Sequence, residues 1–260
     1  MGFSAAWLDL REPADHAARN PALLAAAANA AGESPVIADL GCGTGSTIRA
    51  FDGHLTSPAE WRLVDNDPEL LIHAADAAKR SDSSATTHHI DLRDLDALPL
   101  ERVGLVTASA LLDLCARNWV EALAERLARH KIPFYAALNY DGMMEWTPAD
   151  PADAAVSLAF NRHQRGDKGF GPALGPDAAD AIADIFTAAG YTVLQADSPW
   201  RLGPAQAALQ RELVAGIAGA AQEAGAPQAI QWGATRAALA QSAFCQIGHR
   251  DLLALPPGAA

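Results

Sequence analysis

Short apolar runs rich in β-branched residues alternate along the chain with longer stretches whose apolar positions recur every three to four residues. The runs predict strands over Val36–Leu40, Trp61–Val64, Thr87–Ile90, Val103–Ala108, Phe134–Leu138 and Tyr191–Gln195. The helical spacing predicts helices over Ala17–Ala31, from about Ser46, over Pro68–Arg80, Asn118–His130 and Asp177–Ala189, and over the Ala-rich Pro204–Ala224. A loop follows around Gly225 and Pro227, and a last strand-like run starts at Ala243. Strands alternating with helices imply a mostly parallel sheet covered on both faces, an α/β architecture.

Asp141–Pro176 breaks that rhythm. Gly- and Pro-rich segments surround one short apolar patch, Ala154–Phe160, and the stretch is expected to be an insertion over a cleft. Repeats are absent from the sequence, and nothing marks a domain boundary, so residues 1–260 are expected to form one unit. Lys and Arg number 19 against 31 Asp and Glu, a formal charge of -12. That charge repels nucleic acid and anionic membranes within a Debye length of about 8 Å, so neither is an expected partner. The three cysteines, Cys42, Cys115 and Cys245, are widely spaced and form no CxxC pair, which suits a reducing cytoplasm and suggests no metal site. The charged N-terminus does not look like a signal peptide, and no apolar run approaches the ~18 residues of a membrane span.

The first strand runs into Gly41, Cys42, Gly43, Thr44 and Gly45, with Asp39 in front. A phosphate-binding P-loop needs a lysine after the turn, and none follows. A dinucleotide fingerprint needs its third glycine where this chain has Ser46, and Asp39 would stand close to the pyrophosphate. An acid before a glycine turn asks for a cationic ligand. "VIADLGCGTG" resembles the first motif of the class I S-adenosylmethionine-dependent methyltransferases, whose methyl donor carries an ammonium and a sulfonium and no phosphate.

The resemblance extends in order and spacing from about Leu23 to the C-terminus. It implies a Rossmann-like three-layer αβα sandwich on a seven-stranded sheet with the last strand antiparallel, the run from Ala243 being that strand. It implies a donor site of Asp39 at the ammonium, Gly41, Cys42, Gly43 and Gly45 along the backbone, and Asp65 with Asn66 at the ribose. Asp91 and Leu92 would meet the adenine, and Ser109 would stand beside the methyl donor. S-adenosyl-L-homocysteine would be the product. "SALLD" replaces the Asn/Asp-Pro-Pro-aromatic motif of amino-methylating enzymes, no Pro-Cys dipeptide exists for attack on cytosine, and Asp113, Asn139 and Asp141 match the metal-dependent acids only loosely.

In-line methyl transfer needs alignment and exclusion of water, with a base only where the acceptor keeps its proton. Phe160–Asp177 gathers Arg162, Arg165 and Lys168 in an acidic protein, a loop suited to an anionic acceptor. His163 is the candidate base, and Tyr140, just past the fifth strand where acceptor contacts are expected, is the second catalytic candidate. The N-terminal segment 1–34, with Trp7, Arg11 and His16, is expected to close over the donor as a helical lid, and 141–176 to form the acceptor side. The expected activity is methylation of a small molecule. The alternatives are a methyltransferase for protein or RNA, a non-catalytic S-adenosylmethionine-binding regulatory domain, and a nicotinamide oxidoreductase.

Overall fold

The computed structural model describes residues 3–258. Two helices lead: α1, Ala5–Ala18, capped by Ser4, and α2, Pro21–Ala30, capped by Asn20. Sequence periodicity merges α2 with the end of α1. Asn20 and Pro21 separate them, because the Asn20 carboxamide caps the Ala22 and Leu23 amides and Pro21 fits a first helical turn.

Five parallel strands follow: β1 (Val36–Leu40), β2 (Glu60–Asp65), β3 (Ser84–His89), β4 (Leu105–Ser109) and β5 (Phe134–Thr147). Between them run α3 (Ser46–Phe51), α4 (Pro68–Arg80) and α5 (Arg117–His130). After β5 come α6 (Asp153–Gln164), α7 (Ala178–Ala188), β6 (Thr192–Asp197), β7 (Trp200–Leu202), α8 (Ala207–Glu223), α9 (Ala229–Leu239) and β8 (Phe244–Leu255). The sheet order is β3-β2-β1-β4-β5-β8-β6, with β7 paired to the first half of β8. β8 is antiparallel to β5 and β6, so the predicted antiparallel last strand is present, and β7 makes an eighth.

Alternation along each central strand feeds two cores. Ile37, Leu63 and Leu105 pack with α2, α3 and α4, whereas Ala38, Leu40, Val64 and Val106 pack with α5 and α7. A third core holds Tyr140, Trp146, Trp200 and Trp232 between the outer halves of β5 and β8 and the helices α1, α6, α8 and α9. Two expectations give way here. β5 does not stop at Leu138: Tyr140, Met144 and Trp146 keep pairing with β8 through two register shifts, so 141–147 is strand and only α6 and the loop after it leave the sheet. The loop expected around Gly225 and Pro227 is short, and α9 follows it, packed against α8.

Candidate functional site

The C-terminal ends of β1, β2 and β4 and the turn after β3 open into one cavity of about 380 Å³. Ends of parallel strands flanking the point where strand order reverses are where such sheets leave a crevice. The turn after β1 is pinned from β2: the Gly41 and Cys42 amides both donate to the Val64 carbonyl, at 2.8 and 3.1 Å. Asp65 then braces it, accepting the Gly43 amide at 2.9 Å on one carboxylate oxygen and the Asp67 amide at 3.0 Å on the other. Gly43 has φ +54°, and a Cβ there would stand 3.1 Å from Leu8 of α1, so α1 lies directly over the turn.

Gly41, Cys42, Gly43, Asp65, Asn66, Asp91, Leu92 and Ser109 line the cavity together, eight of the ten donor positions read from the sequence. Gly45 does not. At φ +84° its missing Cβ would sit 2.9 Å from Ala77 Cβ, so this glycine lets α3 start against α4 rather than admitting a ligand. Asp39 is not on the cavity wall either: it is buried, Thr107 Oγ1 donates to its Oδ1 at 2.7 Å, and Oδ2 is buried without a partner. Burial pushes its carboxyl up to about 6, against the hydrogen bond from Thr107 and the charge of Arg19. Asp91 is on the wall, but Arg93 grips its carboxylate through Nε at 2.9 and 3.0 Å and through Nη2, and these bonds hold it down at about 2. The Leu92 carbonyl accepts Trp119 Nε1 at 2.7 Å.

The opposite wall comes from α1 and from residues 168–170. Phe3, Leu8, Arg11 and Asp15 line it from the N-terminal side, and Leu111, Leu114, Lys168, Gly169 and Phe170 from the other. α1 is fastened to the glycine turn: Glu12 pairs with Arg49, and His16 Nε2 lies 3.1 Å from both the carbonyl and the hydroxyl of Ser46. Arg11 is forked onto Asp15 at 2.9 and 3.2 Å and lies over the Trp200 ring, while Trp200 Nε1 donates to Asp15 at 2.9 Å.

The basic loop divides. Arg162 is exposed and donates to the Ala224 carbonyl, and Arg165 is exposed and forked onto Asp177, at 2.8 and 3.0 Å. Neither lines the cavity. His163 does not line it, and bridges Lys168 and Glu223 instead. Tyr140 is buried in the third core, donating to Asn161 Oδ1 at 2.7 Å, and burial raises its hydroxyl far above the ordinary phenol value. Both candidate catalytic groups therefore stand off the cavity wall, taken there by partners remote in sequence.

Two residues carried no sequence signal, Arg19 and His249, and a third, Asp113, only a faint one. Arg19, the C-cap of α1, is buried and donates through Nη2 to Ser109 at 3.0 Å, leaving Nε and Nη1 without partners. His249 on β8 is buried against Trp200 and Tyr140, held neutral by burial that lowers it to about 3, with Nδ1 unpartnered. Asp113 follows β4, and its Oδ1 is buried and unpartnered; the sequence offered it only as a loose match to a metal-binding acid. No cluster of metal-ligating side chains occurs among the described residues.

Residues 37–133, from β1 to the residue before β5, match the family model described as a methyltransferase domain. That stretch resembles a methyltransferase domain, and the sheet built around it has the fold of the class I S-adenosylmethionine-dependent methyltransferases. S-adenosylmethionine is the methyl donor of this class. No curated protein matches the sequence. Solved structures share the methyltransferase fold at low identity. The YcgJ protein from Bacillus subtilis is 14% identical with a TM-score of 0.54, covering 92% of this chain and 100% of its own. A cyclopropane-fatty-acyl-phospholipid synthase-like protein from Lactobacillus casei is 14% identical with a TM-score of 0.55, over 98% of this chain and 94% of its own. A mycolic acid cyclopropane synthase complexed with SAH and CTAB is 12% identical with a TM-score of 0.50, over 90% of this chain and 83% of its own.

Proposed function

We propose that the chain methylates a small molecule, with S-adenosylmethionine held along the glycine turn and the acceptor held between α1 and residues 168–170. The observation that carries this reading is continuity: one cavity joins the glycine turn, Asp65 and Ser109 to the wall of Phe3, Arg11, Lys168 and Phe170. Its 380 Å³ suits a metabolite-sized partner beside the donor and suits a duplex or a flat protein surface poorly.

The residues fit the donor. The backbone at Gly43 comes close to the cavity where a Cβ would crowd Leu8 at 3.1 Å, and Asp65 keeps lone pairs free for two ribose hydroxyls after accepting two amides. Asp39 Oδ2 is an orphaned buried acceptor, which calls for a proton or a cation delivered directly or through water. When bound, S-adenosylmethionine supplies a methyl group already activated on a sulfonium. The protein's part is to orient, to neutralise and to exclude water. α1, rather than the whole of 1–34, is the lid, since α2 belongs to the core against β1, β2 and β4. Of the expected acceptor segment 141–176, only residues 168–170 reach the cavity wall.

No helix among the described residues is long and apolar enough to cross a membrane. We place the enzyme in the cytoplasm on its three cysteines, all buried and unpaired. The test is incubation of the protein with a metabolite extract and donor carrying a trideuterated methyl group, with products read by mass. A labelled metabolite supports the reading; label confined to protein or RNA overturns it.

A further inference from the structure

Three cations line the cavity, Arg11, Arg93 and Lys168. Asp91 closes off Arg93, accepting both its Nε and its Nη2. Arg11 enters from α1 and Lys168 from the loop after α6, and each keeps donors that no described residue fills. Arg11 is held in one orientation. Asp15 accepts its Nε and Nη2 at 2.9 and 3.2 Å, its guanidinium lies 5.1 Å from the centroid of Trp200, and Trp200 Nε1 donates to the same Asp15 at 2.9 Å. A fork through Nε and Nη2 turns Nη1 away from the carboxylate, and Nη1 has no hydrogen-bond partner among the described residues. The Arg11 side chain keeps 12% of its surface exposed on the cavity it lines.

Lys168 has no carboxylate within salt-bridge reach among the described residues. Its ammonium meets His163 Nδ1 at 3.2 Å, and His163 Nε2 meets Glu223 at 3.1 Å. With a carboxylate on Nε2, the imidazole presents a lone pair at Nδ1, so His163 steadies Lys168 and leaves its other two N–H bonds unfilled. The loop itself is fixed: Asp167 accepts the Gly169 and Gly171 amides at 2.7 and 3.0 Å, and Phe170 packs edge-on to Trp119 with centroids 5.4 Å apart. The charges of Arg11 and Lys168 both bear on Asp113, which sets the two cations at the same end of the cavity. Asp113 does not line that cavity and hydrogen-bonds neither of them. Leu8, Leu111, Leu114 and Phe170 line the wall around the pair. Like charges in apolar surroundings carry a penalty that a bound anion removes.

We infer that the acceptor is a small acid with an apolar body, and that its oxyanion, a carboxylate or a phosphate, is clamped between Arg11 of α1 and Lys168 of the opposite wall. The inference rests on the cavity being the site of methyl transfer. Arg11 offers the N–H bonds of Nη1 in a fixed direction, and Lys168 offers two more. The anion thereby joins α1 to residues 168–170 and shuts the acceptor end of the cavity. Arg162 and Arg165 take no part, because the Ala224 carbonyl and Asp177 hold them outside. His163 is a positioning residue for Lys168.

The test uses the full-length protein and trideuteromethyl donor in metabolite extract, then the purified acceptor so identified. The labelled product is expected to ionise as an anion, and its fragments tell a carboxylate, which loses carbon dioxide, from a phosphate, which releases a phosphate ion. Lys168→Met should raise the acceptor KM at least about tenfold with kcat little changed, and Lys168→Arg should recover part of the loss. Arg11→Gln should raise the same KM about tenfold. Because both cations hold one group, the double variant should lose less than the product of the two single losses. His163→Ala should raise the acceptor KM and leave kcat unchanged. Calorimetric affinity for S-adenosylhomocysteine should be unchanged in the Lys168 and His163 variants, and Arg162→Ala should behave as wild type. A labelled product lacking an acid group, or an acceptor KM indifferent to Lys168→Met, overturns the clamp even if Arg11→Gln fails to fold, and so do losses that simply multiply. Wild-type protein that binds S-adenosylhomocysteine but labels nothing removes the methyl-transfer reading, and the inference with it.

Discussion

Arg19 Nη2 donates to Ser109 Oγ at 3.0 Å, tying the end of α1 to the end of β4 across 90 positions of sequence. The same guanidinium keeps Nε and Nη1 buried without partners, while Asp39 keeps Oδ2 buried without one. Two buried groups of opposite charge with unfilled hydrogen bonds, beside a cavity-lining serine, suit a ligand end that carries both a carboxylate and an ammonium.

Arg19→Met is therefore expected to weaken S-adenosylhomocysteine binding by about ten- to a hundredfold, the loss of one charge-assisted hydrogen bond of roughly 1.5–3 kcal/mol. Binding of 5′-methylthioadenosine, which lacks the amino-acid end, should hardly change. Calorimetric titration of both ligands reads the difference, and equal losses would make Arg19 a structural residue only.

The raised carboxyl of Asp39 predicts a pH effect. In the folded, ligand-free protein it titrates near 6, against 3.8 for an ordinary aspartate, so folding favours its protonated form. Its contribution to stability is greatest below about pH 4, falls as pH rises from about 4 to about 6, and stays low above that. A cationic ligand group near Oδ2 reverses the penalty. The gain in melting temperature on saturation with S-adenosylhomocysteine should thus be larger at pH 7.5 than at pH 5, and Asp39→Asn should flatten that difference.

Gly45→Ala separates packing from binding. Its φ of +84° and the 2.9 Å approach to Ala77 should together destabilise the fold by about 1–3 kcal/mol in urea denaturation. S-adenosylhomocysteine affinity of the folded fraction should stay as in wild type, because Gly45 does not line the cavity.

The fastening of α1 predicts a kinetic effect. Glu12→Ala breaks the pair with Arg49 and should speed S-adenosylhomocysteine release about two- to fivefold, the scale of one part-exposed ion pair. Stopped-flow displacement measures it, and an unchanged release rate would mean that α1 does not gate the donor.

Much of the fold was legible because its signals are local. Asp67 caps α4 and Pro68 begins it, so the helix expected over Pro68–Arg80 is the helix observed. The glycine turn, Asp65 and Ser109 were legible for the same reason, lying within a few residues of a strand end. The rest depends on partners remote in sequence. Gly142 masked the period-two pattern of Tyr140, Met144 and Trp146 that carries β5 to Thr147, and β8 supplies the pairing that keeps it extended. The basic loop was correctly seen as a concentration of charge, but Asp177 and the Ala224 carbonyl draw Arg165 and Arg162 outward, leaving Lys168 at the cavity. Arg19 and His249 are isolated residues in the sequence, and only the packing of α1 and β8 against the strand ends gives them meaning.

The most direct test of donor binding is calorimetric titration of wild-type protein and Asp65→Ala with S-adenosylhomocysteine, alongside NADH. The expected result is one tight site in the wild type, a loss of roughly 100-fold or more in Asp65→Ala from two missing hydrogen bonds to a charged acceptor, and no heat from NADH. Equal affinity in the two proteins, or NADH binding that S-adenosylhomocysteine displaces, would contradict it.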